Sequence, residues 1–515
     1  MITQFDLKLA NYIQDKEAID FEACSHLFEK SESTIKRSVY RLNEYLPAEL
    51  HFRIADHMIL SEMTYSDYVR LCQELELSYY SPTVEERLDL AICVGFLQDI
   101  VNMTALYESL YLSLSTKKKD RKKLGYFLEE NDVAIVNRHS LGTSFHGNER
   151  FLRMFVAREL MGVIELGKAD NFVERLANTP IQRLLYKAFK VHLGPYHCEA
   201  IERLEQFLGP ERSAIDYASK KFIYIHAAIS LMRIEKGYLV EDELTDIPEV
   251  PAHHILPSEK DSLYFDYLIA SLNYKEPFAF PENTELKNYV SEFIDCLEGD
   301  LDVYFHTYRK MHEEIYAYIY KAQIKNRLEY YFDDDKLDDT KHIHSELYDV
   351  IEDKIDEVFP FEFSEAQVSM ICLIVKRFII KNRLIKQERK KIVVITNSSV
   401  EKVSYFLEEL AQHVNFEMVS YLTINELYAL EDLDFNTIIT FSNRIAMLLA
   451  EMGRESIKLN FYLTDDDLDK LDDHGFVKAS SVRVLAAEIV NDLEKRKTKR
   501  DKTDYLKTNF PMYTI

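Results

Sequence analysis

A sixteen-residue phrase occurs twice in this chain, 82 positions apart. The first copy spans Ser31 to Leu46 and the second Ser113 to Leu128. Each opens Ser-x-Ser-Thr, runs through basic residues and closes on Leu-x-x-x-Leu. In the first copy Ile35, Val39, Leu42 and Leu46 fall at i, i+4, i+7 and i+11, one apolar stripe of a helix. Ser31 is placed to cap that helix and Pro47 to end it. In the second copy Lys117 and Arg121 stand where Ile35 and Val39 stand in the first. Either their stems run past the core with the charges in water, or that helix is rotated or shifted relative to its counterpart.

Both phrases are set in the same surroundings. Short helices are expected at Phe5–Gln14 and Asp20–Phe28 before the first. Two strands, Glu49–Arg53 and Met58–Ser61, are expected around Ala55-Asp56-His57 after it. Before the second, Thr83 and Glu86 have capping-box spacing and start a helix over Glu85–Asp99, followed by Thr104–Tyr111. After it, Val133–Asn137 and Thr143–His146 read as a hairpin. Three helices and a hairpin, with a polar and basic third helix, form a winged helix-turn-helix pattern. Such a helix reaches phosphates and base edges with Arg and Lys, and at short range with Ser and Thr. The candidate DNA-binding residues are therefore Thr34, Lys36, Arg37 and Arg41 in the first copy. In the second they are Ser115, Thr116, Lys117, Lys118, Lys119, Arg121, Lys122 and Lys123.

Charge limits how such contacts are made. The 515 residues carry a formal net charge of −25, and the first 160 hold 19 Lys/Arg against 25 Asp/Glu. Residues 117–123, by contrast, hold six bases and one acid. Any grip on DNA is then confined to short helices, with the acidic remainder repelled. Scarce Gly and Pro, 12 of each, favour helices. The six cysteines form no C-x-x-C pair and read as buried thiols of a reducing compartment. No leader is evident at the N-terminus, and no apolar run approaches the ~20 residues of a membrane span. A cytoplasmic protein that is not an enzyme, with no cofactor, metal or membrane contact, is expected.

From 165 to about 389 the pattern is helix after helix, with candidate breaks at Asp246–Pro257 and Asn273–Pro281. The apolar run Ile392–Thr396 then opens an alternation of strands and helices, the signature of a small parallel α/β unit. Further strands are expected at Phe416–Tyr421, Thr437–Phe441 and Ile457–Leu463, and a helix at Ser480–Lys495. The expected fold class is mainly α and multidomain. Two winged helix-turn-helix modules occupy 1–63 and 64–162, and two helical bundles 165–285 and 286–389. An α/β domain follows at 390–495, then a tail at 496–515.

This order of parts resembles the Mga/AtxA group of virulence and global regulators of Gram-positive bacteria. The resemblance is carried by Ser81-Pro82-Thr83-Val84-Glu85-Glu86-Arg87-Leu88, by the two Ser-x-Ser-Thr helices, and by Gly142 and Gly147-Asn148-Glu149 around the second hairpin. It implies that the bundles are phosphotransferase-regulation domains (PRDs) and that the C-terminal unit is like the IIB component of a sugar phosphotransferase system. It further implies a homodimer on double-stranded promoter DNA, tuned by phosphate from the phosphocarrier HPr and acting as an activator. In the first bundle His226 and Arg233 match the family's His-x6-Arg, with Arg233 placed to contact the phosphoryl group. In the second, His306 or His312 is the candidate acceptor. The sequence departs from the family at Asp266 and Cys372, where histidines are expected, and at Thr396, where a IIB protein would carry its cysteine. The competing readings are an RNA-binding antiterminator with the same regulatory domains and a phosphotransferase-system IIB component.

Overall fold

The computed structural model describes residues 1–16, 18–138, 141–208, 215–241, 248–275, 280–301, 305, 307–329, 339–381 and 390–476. The chain is mainly helical, with a small parallel sheet near its C-terminal end.

The N-terminal segment runs α1 (Gln4–Lys16), β1 (Ala18–Asp20), α2 (Phe21–Phe28), α3 (Glu32–Asn43), β2 (Arg53–Ala55) and β3 (Met58–Leu60). Strand β3 pairs antiparallel with both β1 and β2. Asp56 and His57, both at positive φ, make the two-residue turn between β2 and β3, the backbone that suits a tight hairpin. The expected stripe of α3 is the one it buries: Ile35, Val39 and Leu42, with Leu46 just beyond. The strand expected at Glu49–Arg53 begins only at Arg53. Ala48–Leu50 winds into a single 3-10 turn after Pro47, in which the Leu50 amide donates to the Pro47 carbonyl and the His51 amide to that of Ala48. Helix α4 (Tyr65–Glu74) follows, capped by Thr64 and Asp67.

The segment around the second phrase runs α5 (Val84–Gln98), α6 (Met103–Ser109), α7 (Leu114–Glu130), β4 (Val133–Arg138), β5 (Gly142–Gly147) and α8 (Glu149–Met161). Thr83 and Glu86 close the expected capping box on α5. Strands β4 and β5 pair from Val133↔Gly147 to Arg138↔Gly142. Gly147 has φ +144, and a Cβ there would collide with the Asp132 carbonyl, so the hairpin can return against α7 only through glycine. A short hairpin, β6 (Ile164–Leu166) and β7 (Phe172–Glu174), leads into the central helices.

These are α9 (Pro180–His192), α10 (His197–Leu208), α11 (Tyr217–Glu235), α12 (Glu259–Ala270), α13 (Thr284–Asp300), α14 (Tyr308–Leu328), α15 (Thr340–Ile343), α16 (Ser345–Val358) and α17 (Glu365–Lys381). Helix α11 is buried on every side from Lys221 to Arg233, as a helix that is apolar all round must be. It lies against α8, so the central helices pack directly on the segment that carries the second phrase.

The C-terminal segment holds β8 (Lys390–Ile395), α18 (Val400–His413), β9 (Phe416–Leu422), β10 (Thr437–Thr440), α19 (Asn443–Glu451), β11 (Ile457–Lys458) and α20 (Asp465–Asp473). The strands are parallel in the order β11-β10-β8-β9. Ile392–Ile395 is fully buried, as expected of a strand covered on both faces. The strand expected over Ile457–Leu463 is two residues long. The expected helix at Ser480–Lys495 lies outside the described residues.

Candidate nucleic-acid interface

Helices α3 and α7 occupy equivalent places in their segments, and each presents one face to solvent. On α3 that face carries Ser33, Arg37, Tyr40 and Glu44; on α7 the positions 82 residues on are Ser115, Lys119, Lys122 and Tyr126. All eight are exposed, and the spacing i, i+4, i+7, i+11 keeps them on one side of a helix. Tyr40 and Tyr126, which basic residues alone did not signal, are 62% and 56% exposed. Lys122 lies over the Tyr126 ring at 5.6 Å.

Lys117 and Arg121 lie at the edge of the inward face of α7, a face that α7 shares with α3 at the positions equivalent to Ser38, Leu42 and Leu46. The buried residues of α7 are Asp120, Leu124 and Leu128, so the inward face passes through Asp120. That carboxylate takes two bonds from Arg87 of α5, Nε at 2.6 Å and Nη2 at 3.0 Å, and one from the Tyr107 hydroxyl at 2.9 Å. Arg87 also donates to the Pro82 carbonyl at 2.7 Å. The bond to Asp120 raises the already high pKa of Arg87. Lys117 is half-buried and donates to Thr104 at 2.7 Å; Arg121 is exposed and reaches Asn137 on β4 at 2.6 Å. The helix and its hairpin are thereby joined by a side-chain bond.

The first segment uses the same buried position with the charges exchanged. Ser38, equivalent to Asp120, is fully buried and donates to Asp6 of α1, which also holds Arg41 at 2.6 Å. Arg41 is thus occupied within the protein and is a weaker candidate for DNA than its type alone implies. Lys36 is paired with Glu32 and lies 4.9 Å above the Phe21 ring. Thr34 is half-buried, with its hydroxyl on Ser31; Thr116 has the same relation to Ser113. Lys118, Lys119, Lys122 and Lys123 are exposed along α7, and Arg37 is the exposed base of α3.

The histidines are placed differently from one another. His226 is fully buried in α11 among Phe222, Tyr264 and Phe265. Its Nδ1 lies 3.2 Å from the Ser230 hydroxyl and its Nε2 3.4 Å from the Tyr264 hydroxyl. Burial, and then the charge of Arg153, push its pKa down to about 3. This is a core histidine, closed to a phosphocarrier in this conformation. Arg233 does not await a phosphoryl group: Glu149 takes it at 2.7 and 2.8 Å. His306 lies outside the described residues. His312 is half-buried, with Nε2 3.1 Å from the Lys287 carbonyl and its ring stacked on Tyr308. Asp266 is buried and accepts from the backbone and ring of His253. Thr396 is buried at the end of β8, bonded to Ser398. Among the described residues no helix is long and apolar enough to cross a membrane, and no three potential metal ligands lie together. No protein-family model matches the chain, and no curated protein matches it.

Proposed function

We propose that this chain is a DNA-binding transcription regulator, with α3 and α7 as the third helices of two winged helix-turn-helix modules and β2–β3 and β4–β5 as their wings. The observation that carries the reading is the pair of equivalent exposed faces, Ser33/Arg37/Tyr40 and Ser115/Lys119/Lys122, on helices whose opposite faces are locked by buried bonds. The two helices differ in task. Helix α7, with Lys118, Lys119, Arg121, Lys122 and Lys123 in one stretch, supplies most of the attraction to phosphates. Helix α3 has one free-standing base, Arg37, beside an exposed tyrosine, and contributes local contacts that set position. A homodimer on promoter DNA would double these modest contacts. Phosphate control through HPr would act on the half-buried His312 and not on His226 in the core.

The test is substitution of Lys118, Lys119 and Lys122 together by Ala. All three are exposed, so thermal melting should be nearly unchanged. The shift of a promoter duplex in a gel should be lost. An unchanged shift would remove α7 from the interface.

A further inference from the structure

A buried cluster of charges joins the second winged segment to the central helices, and none of the readings above gives it a task. Glu149 is the first residue of α8, two positions after the wing strand β5 ends. Its Oε1 accepts from Arg153 Nε at 2.9 Å and from Arg233 Nε at 2.8 Å, and its Oε2 accepts from Arg233 Nη2 at 2.7 Å. Arg153 is fully buried; it donates to the Tyr238 carbonyl at 2.9 Å and approaches Asp261 of α12, also fully buried, to 2.6 Å. Arg233 reaches Asp99 at the end of α5 at 3.3 Å. Its guanidinium lies 4.4 Å from the Phe96 ring of α5 and 3.7 Å from the Tyr238 ring. The Tyr238 ring in turn meets His146 of β5 at 5.8 Å.

Five elements converge here. Helix α5 opens the second winged segment, β5 is its wing, and α8 follows the wing; α11 and α12 belong to the central helices. An apolar contact would let these surfaces slide at little cost. A bidentate, stacked arginine permits one relative setting, because each displaced charge would be left buried and uncompensated. We propose that the Glu149–Arg233 and Arg153–Asp261 pairs are a coupling element: they hold the wing and α7 in one orientation against α11 and α12, so that occupancy of the DNA face and the state of the central helices bias each other. His226 lies on α11 two turns before Arg233 and touches Tyr264 of α12, so the packing around this histidine borders the same element. The inference rests on the DNA-binding reading and adds to it the route by which the central helices reach the DNA face.

Coupling of this kind is reciprocal, which supplies the test. Hydrogen exchange is measured on the full chain with and without random-sequence duplex DNA at low salt. DNA should slow exchange in α7 directly. It should also slow exchange in the second half of α11, residues 226–235, and in α12, by about fivefold or more, the lower end of usual coupling strengths. In the double variant Glu149→Gln/Arg233→Met, which removes both charges together, α7 should still be protected while α11 and α12 no longer respond. A merely structural pair would lower melting temperature but leave the response in place. Protection of α7 with no change in α11 and α12 of the wild type overturns the coupling while leaving DNA binding intact. A response undiminished in the double variant overturns the cluster as its route. Absence of protection on α7 itself overturns the DNA-binding reading and the coupling with it.

Discussion

Asp120 anchors the inward face of the second basic helix. It is fully enclosed and holds Arg87 and Tyr107. Arg87→Met should therefore leave a buried carboxylate without its cation and cost about 3–5 kcal/mol, read from chemical denaturation. The exposed Lys119→Ala should stay within about 0.5 kcal/mol of the parent. His226 yields a pH prediction with a definite sign. Its ordinary value is 6.5 and its folded value about 3, so on acidification the unfolded chain takes the proton first. Its contribution is whole above pH 6.5 and is lost as pH falls toward 3, at about 1.4 kcal/mol per unit for one proton. His226→Phe should flatten that stretch of the stability profile; an unaltered slope would show that the ring is protonated in the fold. At this scale the sequence was least legible. Arg41 and Arg233 are basic residues at plausible spacing, and nothing in their own neighbourhood announces Asp6, 35 positions away, or Glu149, 84 positions away.

Elements were far more legible, because capping and periodicity are local. The Thr83/Glu86 box marks the start of α5 where side-chain oxygens meet free amides. The apolar run Ile392–Ile395 and the stripe of α3 were legible for the same reason. Two kinds of element escaped. The strand expected over Glu49–Arg53 loses its start to the 3-10 turn Ala48–Leu50, because a ladder partner is decided by tertiary pairing. The face of α7 could not be fixed because a buried acid stands where a stripe calls for an apolar residue, and only its partners on α5 and α6 make that tolerable. Exposed Tyr40 and Tyr126 could have been found by placing the two phrases in register and reading the outward positions. The matching prediction concerns α3. Arg37→Ala and Tyr40→Ala together should weaken binding to a preferred duplex more than to random DNA in fluorescence anisotropy, since contacts that fix position act through sequence. Equal weakening on both would place α3 among the phosphate contacts alone.

Over the whole molecule, one carboxylate ties three segments. Glu165 of β6 accepts from the Tyr217 hydroxyl, from Lys221 of α11 at 3.3 Å and from Arg444 of α19 at 2.7 Å. Burial alone would raise its pKa; Lys221 and Arg444 outweigh that and hold it at about 2 against an ordinary 4.5. Its stabilisation is thus complete above pH 4.5 and lost as pH falls from there toward 2, so Glu165→Gln should flatten the acid limb of the denaturation profile in that window. Elsewhere, Lys16 bonds Asn460 at 3.2 Å and Lys458 bonds the Asp15 carbonyl at 3.3 Å, so the C-terminal sheet segment rests on the N-terminal segment. None of these long-range pairs is visible in sequence, whereas the order of segments is. What unites the levels is an acidic chain with a run of exposed bases on α7 and an equivalent exposed face on α3. The most direct measurement is the affinity for promoter DNA between 50 and 200 mM salt. The account predicts log affinity falling linearly with log salt, with a slope of about −0.9 for each phosphate neutralised and several phosphates in all. Absent binding, or binding indifferent to salt, would contradict it.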